Sequence, residues 1–204
     1  MTSLWTALAG LALAPVLGLL ARRLQHTDAP WPKSRWVGLA VGSAAGGAAV
    51  GTIHPWPVAA VYAAALAVAI TAAAVDATEM RLPDALTYPL AIGGFTALMA
   101  VTLATGIGSP LRAIAGAAIY GGWMLFGALA THHGYGLGDI KLATGLGALL
   151  AWHSWLALAM GIGSAQLVEV VLVGSAAVRG RQRQALGLAF VVGVLAALIG
   201  PSAY

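Results

Sequence analysis

Eight apolar stretches, 4–20, 36–53, 58–75, 85–104, 112–130, 140–153, 155–178 and 185–200, take up most of the 204-residue chain and dictate what it can become. A helix that crosses a bilayer needs about 20 mainly apolar residues. Inside hydrocarbon the backbone has to satisfy its own polar groups, which only helices and closed barrels do. These runs are continuous rather than alternating, so they read as helices. The breaks between them hold chain-turning residues: "DAPWPKSR" after the first, "HPWP" after the second, "GIGSP" after the fourth. Proline and glycine continue a helix poorly. With 8% charged residues and a mean hydropathy of +0.90, the chain has too little polar surface to face water all round. The expectation is an all-α, polytopic transmembrane bundle of about eight spans, one membrane-embedded domain over residues 1–204 with the lipid bilayer around it.

One boundary needs an argument. Leu142 to Val178 is almost continuously apolar, and a single helix of these 37 residues would reach about 55 Å against a hydrocarbon core of about 30 Å. Two spans turning at "WHSW", Trp152 to Trp155, fit the bilayer, although the first is short. Charge leads to the same count. With eight spans and the N-terminus outside, the loops 21–35, 76–84, 131–141 and 179–184 share one side. They hold Arg22, Arg23, Lys33, Arg35, Arg81, Lys141, Arg179, Arg181 and Arg183, against Arg112 alone on the other. The positive-inside rule assigns those four loops to the cytoplasm. Seven spans would put the arginines of "RGRQRQ" outside. The first run carries its arginines after the apolar segment, the reverse of a secretory signal, and reads as a retained span.

Some chemistry is excluded outright. The absence of cysteine removes disulfides, thiolate zinc sites and a cysteine nucleophile. The basic residues are spread over several loops and form no stripe, so no nucleic-acid partner is expected. His132 and His133 lack a further ligand at metal spacing and read as interfacial loop residues; no metal and no cofactor is expected. Two small-xxx-small pairs, Gly42/Gly46 and Gly47/Gly51, promise tight helix packing. Six of the seven tryptophans (Trp5, Trp31, Trp36, Trp56, Trp152, Trp155) lie near span ends, where aromatic belts belong.

The six acids are Asp28, Asp76, Glu79, Asp84, Asp139 and Glu169. Four fall in two loops on the same side, "VDATEMRLPD" and "GYGLGDIK". Asp76 ends the third span and Asp139 begins the sixth, so both sit at one membrane depth although 63 positions apart. Alone, Asp76 reads as a helix terminus in water; Asp139 is harder to dismiss, because an acid at the start of a span is costly. Two carboxylates sharing a site cannot both ionise cheaply. One keeps a proton and polarises a carbonyl while the other draws a proton from water, as in aspartic proteases. Gly136 and Gly138 would let backbone come close to Asp139, from a substrate strand or a neighbouring helix.

At these residues the chain resembles the type IV prepilin peptidases. "DATEMRLPD" is similar to their D-x6-P-[DN] signature and "GLGDIK" to their G-x-G-D-x-K motif. The likeness runs over roughly residues 58–178, including the "KLATGLGALLAW" after the second motif. It implies that Asp76 and Asp139 are the catalytic pair. It further implies an aspartic endopeptidase of a prokaryotic cytoplasmic membrane, cutting the basic leader from prepilins or pseudopilins at the cytoplasmic face. Many members of the family carry a cysteine-bearing insert after the first span and also methylate the new N-terminus. Here that region is only "ARRLQHTDAPWPKSRW", so the resemblance is to a short, peptidase-only form.

The remaining polar residues have more modest expected roles. Asp84, after Pro83, is expected to cap the fourth span, with a part in orienting the loop as the alternative. Lys141 is expected to snorkel to the headgroups rather than hold Asp139 ionised. Glu79 reads as a solvated loop charge able to attract a basic leader. Glu169, inside the seventh span, reads first as a structural acid bonded to Gln166 or a serine, with contact to the substrate helix as the alternative. Two rival functions remain: a presenilin-like intramembrane protease, which shares G-x-G-D, and a proton-coupled transporter using Asp76, Asp139 and Glu169 as a relay.

Overall fold

A computed structural model describes residues 2–26, 31–53, 55–131, 135–178 and 185–200. His132, His133, Asp28 and the arginines of 179–183 lie outside them. The described residues form eight helices and no strand: α1 (Thr2–Arg23), α2 (Lys33–Val50), α3 (Trp56–Glu79), α4 (Asp84–Thr105), α5 (Pro110–Thr131), α6 (Leu137–His153), α7 (Trp155–Val178) and α8 (Gly187–Ile199). Each expected span has its helix, and the long apolar run does break at Ser154. By length and composition α1, α3, α4, α5 and α7 are able to cross a bilayer. The fold is a polytopic helical bundle.

Of the three other helices, α6 and α8 are the short ones, with 17 and 13 residues. α6 is sheathed on all sides: Leu142, Ala143 and every residue from Gly145 to Trp152 are buried. A helix buried all round belongs in the core of a bundle. Small residues let its neighbours close in. A Cβ on Gly147 would stand 2.3 Å from the Gly116 carbonyl oxygen of α5, and one on Gly145 2.9 Å from Ala91 Cα of α4. Ala91 lies in the turn Pro89–Gly93, where α4 widens to π geometry. Proline has no N–H to give the preceding turn, which is where such widening arises.

The far end of α6 is tied down on several sides. Arg112, the lone cation expected opposite the others, donates to the carbonyl oxygens of Ala151, Trp152 and His153 at 3.1, 2.9 and 2.9 Å. Tyr62 of α3 donates to the Leu149 carbonyl at 2.6 Å. Trp152 is not a belt residue. It is 1% exposed, packs over Gly108 and donates to Thr102 Oγ1 at 2.8 Å.

α1 and α2 make a close antiparallel pair through Gly47, one of the expected glycines, and not through Gly42. Gly42 meets no neighbour within 4 Å, whereas a Cβ on Gly47 would stand 2.1 Å from the Thr6 carbonyl oxygen. A Cβ on Gly10 would likewise stand 2.1 Å from the Ser43 carbonyl oxygen. The contacting stripe on α2 is Ser43/Gly47, one residue round the helix from Gly42/Gly46.

Candidate active site

Asp76 lies in the last turn of α3, which Met80 closes in the left-handed conformation, φ 51°, donating its N–H to the Asp76 carbonyl oxygen at 2.8 Å. Its side chain turns inward and is buried, at 4% exposure. A buried carboxylate requires hydrogen-bond donors, and these come from the start of α8. The Gly187 N–H donates to Asp76 Oδ2 at 2.8 Å, and the Leu186 N–H also bonds the carboxylate. α8 has only 13 residues, about 20 Å at 1.5 Å per residue, too short to bridge the hydrocarbon. Its first N–H groups, which no helix satisfies internally, end within the bundle and are met by Asp76. The positive helix end also favours the carboxylate.

Asp139 sits in the first turn of α6, and its Oδ2 accepts from the Gly136 N–H at 2.8 Å. The Gly136 carbonyl in turn accepts from the N–H groups of Asp139 and Ile140 at 3.1 and 3.4 Å. Gly138 is glycine because the other motif loop passes over it: a Cβ there would stand 2.8 Å from Leu82 Cβ and 3.1 Å from the Leu82 carbonyl oxygen. Gly136, with φ −85° and ψ 161°, holds an ordinary extended conformation. Asp76 and Asp139 are thereby brought to one end of the bundle, within electrostatic range of each other and joined by no hydrogen bond.

The supporting charges pair differently from expectation. Asp84 does not cap α4. Pro83 takes the N-cap position with extended backbone, and Asp84 becomes the first helical residue. Its carboxylate instead meets Lys141 Nζ at 2.6 Å, and that ammonium lies 4.6 Å above the Tyr88 ring. Lys141 therefore bonds Asp84 rather than Asp139 and ties one motif loop to the other. Glu79 is likewise engaged within the protein. It meets Arg81 Nε at 2.5 Å and accepts the His26 N–H, linking the end of α1 to the loop after α3.

Glu169 does belong to this end of the bundle. Ser154, where α6 turns into α7, lies fifteen residues from Asp139 and fifteen from Glu169. An antiparallel hairpin brings two such residues level, a signal already present in the sequence. The Tyr135 hydroxyl donates to Glu169 Oε1, and Gln166 is a second partner. Burial, together with the bond to Glu169, holds the Tyr135 hydroxyl above its ordinary pKa, so it stays a proton donor. Sequence reasoning missed Tyr135, Leu186 and Gly187.

Together these features define a class: an all-helical membrane protein with two acids from separate loops gathered at one end. The chain belongs to the type IV leader peptidase family, whose model matches residues 63–200. It is therefore a leader-peptidase-like protease, a hydrolase of the membrane. The match takes in both motif loops and continues through α8 to Gly200, beyond the stretch over which the motifs carry the resemblance. Comparison with curated proteins and with solved structures found no match.

Proposed function

We propose that the protein is an aspartic endopeptidase that removes the basic leader peptide from type IV prepilins or pseudopilins. Asp76 and Asp139 together activate water, one as base and the other protonated toward the peptide carbonyl. Since the two carboxylates are not bonded to each other, a water and the scissile carbonyl complete the site between them. The cut is made at the cytoplasmic face of a prokaryotic cytoplasmic membrane, the side to which nine of the ten basic residues point by the positive-inside rule.

The observation that carries this reading is the convergence of Asp76 and Asp139, 63 positions apart, in a chain of the leader peptidase family. Glu169 stands level with Asp139 rather than at another depth, which favours hydrolysis over a proton relay across the membrane. The test uses the purified protein in liposomes and a prepilin with a basic leader, a glycine and an apolar helix. The wild type should release the leader. Asp76→Asn and Asp139→Asn should each lose at least about 10²–10⁴-fold in rate while keeping wild-type helicity by circular dichroism. Cleavage by either variant at the normal rate overturns the assignment.

A further inference from the structure

The Tyr135–Gly136 peptide unit is the hinge on which the Asp139 carboxylate rests, since its N–H is the donor to Asp139 Oδ2. Glycine at 136 and at 138 gives this turn no side chain with which to steady itself. Beside the bonds that Gly136 makes with Asp139 and Ile140, the turn is steadied from outside. The Tyr135 ring lies on Gly127 of α5, where any Cβ would come within 2.5 Å of the ring. The Tyr135 hydroxyl is anchored on Glu169 of α7, a helix that contributes to neither motif. Ring and hydroxyl together hold Tyr135, and the planar Tyr135–Gly136 unit that carries the Gly136 N–H is thereby held at its Tyr135 end.

We infer that Glu169 and Tyr135 are a positioning pair that holds the Asp139 turn in its working shape, the ring seated on Gly127 and the hydroxyl anchored in α7. The inference rests on the proposed peptidase reading and deepens it. Neither residue touches the scissile bond. Glu169 acts on Asp139 through Tyr135 and the Gly136 amide, and it also lies within electrostatic range of Asp139. An acid in the interior of α7 thus has a use that contact with substrate is not needed to explain. It is the fixed point against which the glycine-rich turn is held.

The variants separate this from a general structural role. Tyr135→Phe removes only the hydroxyl, and Glu169→Ala only its acceptor. Each should lower kcat roughly tenfold, the value of one hydrogen bond, with KM little changed. The double variant should be no slower than the slower single one, because both remove the same link. Glu169→Gln keeps a carbonyl oxygen for the tyrosine hydroxyl and should recover most of the rate lost in Glu169→Ala. Gly127→Ala, which displaces the ring, should resemble Tyr135→Phe. Amide hydrogen exchange over residues 136–140 in the full-length protein reads the turn without any substrate. It should quicken in Tyr135→Phe, Glu169→Ala and Gly127→Ala and return in Glu169→Gln.

Wild-type kcat and wild-type exchange in Tyr135→Phe and Glu169→Ala overturn the inference. So does a loss of thermal stability that tracks the loss of rate and is not relieved by Glu169→Gln. If no substrate is cut by the wild type while exchange responds as described, the pair's hold on the turn stands and the peptidase reading falls.

Discussion

The Asp76 carboxylate of α3 and the Gly187 N–H of α8, 111 positions apart, meet at 2.8 Å. A short helix thus ends where a buried acid needs donors, and one contact satisfies both the helix end and the carboxyl group. The side chain proposed as catalytic is thereby held by an element that carries neither motif.

Gly187 is what lets α8 come this near. A Cβ at that position would stand 2.5 Å from Ala73 Cα, a backbone atom that cannot step aside. Gly187→Ala is expected to push the start of α8 off α3 at a cost of about 1–3 kcal/mol, the usual penalty of overpacking. It should also lengthen the bond to Asp76. Thermal unfolding in detergent should show the lowered midpoint, and leader cleavage should fall although both aspartates remain. A wild-type midpoint and rate would mean that α8 does not hold Asp76 through this contact.

Gly138→Ala should act on the chemistry rather than the fold. Its Cβ would be driven onto Leu82 at 2.8 Å, forcing the two motif loops apart at the end of the bundle. Displacing a reacting group by an ångström costs about a hundredfold in rate. That is the loss expected in a cleavage assay, with little change in melting temperature. Leu82→Gly in the same chain removes one of the clashing atoms and should restore part of the activity.

The Lys141–Asp84 pair spans the same two loops from the solvent side, with side chains 30% and 61% exposed. Exposed pairs contribute little. Lys141→Met or Asp84→Asn should therefore slow cleavage only about two- to fivefold and leave the melting curve in place. Exchanging the two charges, Asp84→Lys with Lys141→Asp, should recover the loss at low salt and not at high salt, where screening removes the pair. A loss as large as that of Asp139→Asn would instead place Lys141 in the chemistry.

How far the sequence speaks for itself depends on the range of the interaction. Apolar runs are local, so the helices α1 to α8 were legible within a few residues, and the turn at Ser154 followed from length alone. The motif loops were legible because "DATEMRLPD" and "GLGDIK" are contiguous. The partners of Lys141, Asp84 and Gly187 were not, since each depends on which face of one helix meets another 57 or 111 positions away. The stripe on α2 shows the same limit. One residue of rotation separates Gly42/Gly46 from Ser43/Gly47, and spacing cannot tell the two apart. Glu169 is the intermediate case. Its level in the bundle could be counted from Ser154, but its bond to Tyr135 required the loop to be seen.

Arg112 offers the converse test, a substitution expected to change stability without changing chemistry. It lies at the end of α5 far from Asp139, and its guanidinium closes three carbonyl groups that α6 cannot satisfy itself. It also brings positive charge to the negative end of that helix. Arg112→Ala leaves these carbonyls without the cation, and the loss of bonds to a charged donor is expected to cost about 1.5–3 kcal/mol. Lysine keeps the charge but has no planar fork with which to serve three acceptors, so Arg112→Lys should recover only part of this. Thermal unfolding should therefore rank wild type above Arg112→Lys above Arg112→Ala. At temperatures where all three are folded, kcat on a prepilin should be the same in each, because the two acids lie at the opposite end of α6. A fall in kcat that outruns the fall in stability would show that the length of α6 transmits disturbance to Asp139, and that this end of the bundle is not independent of the other.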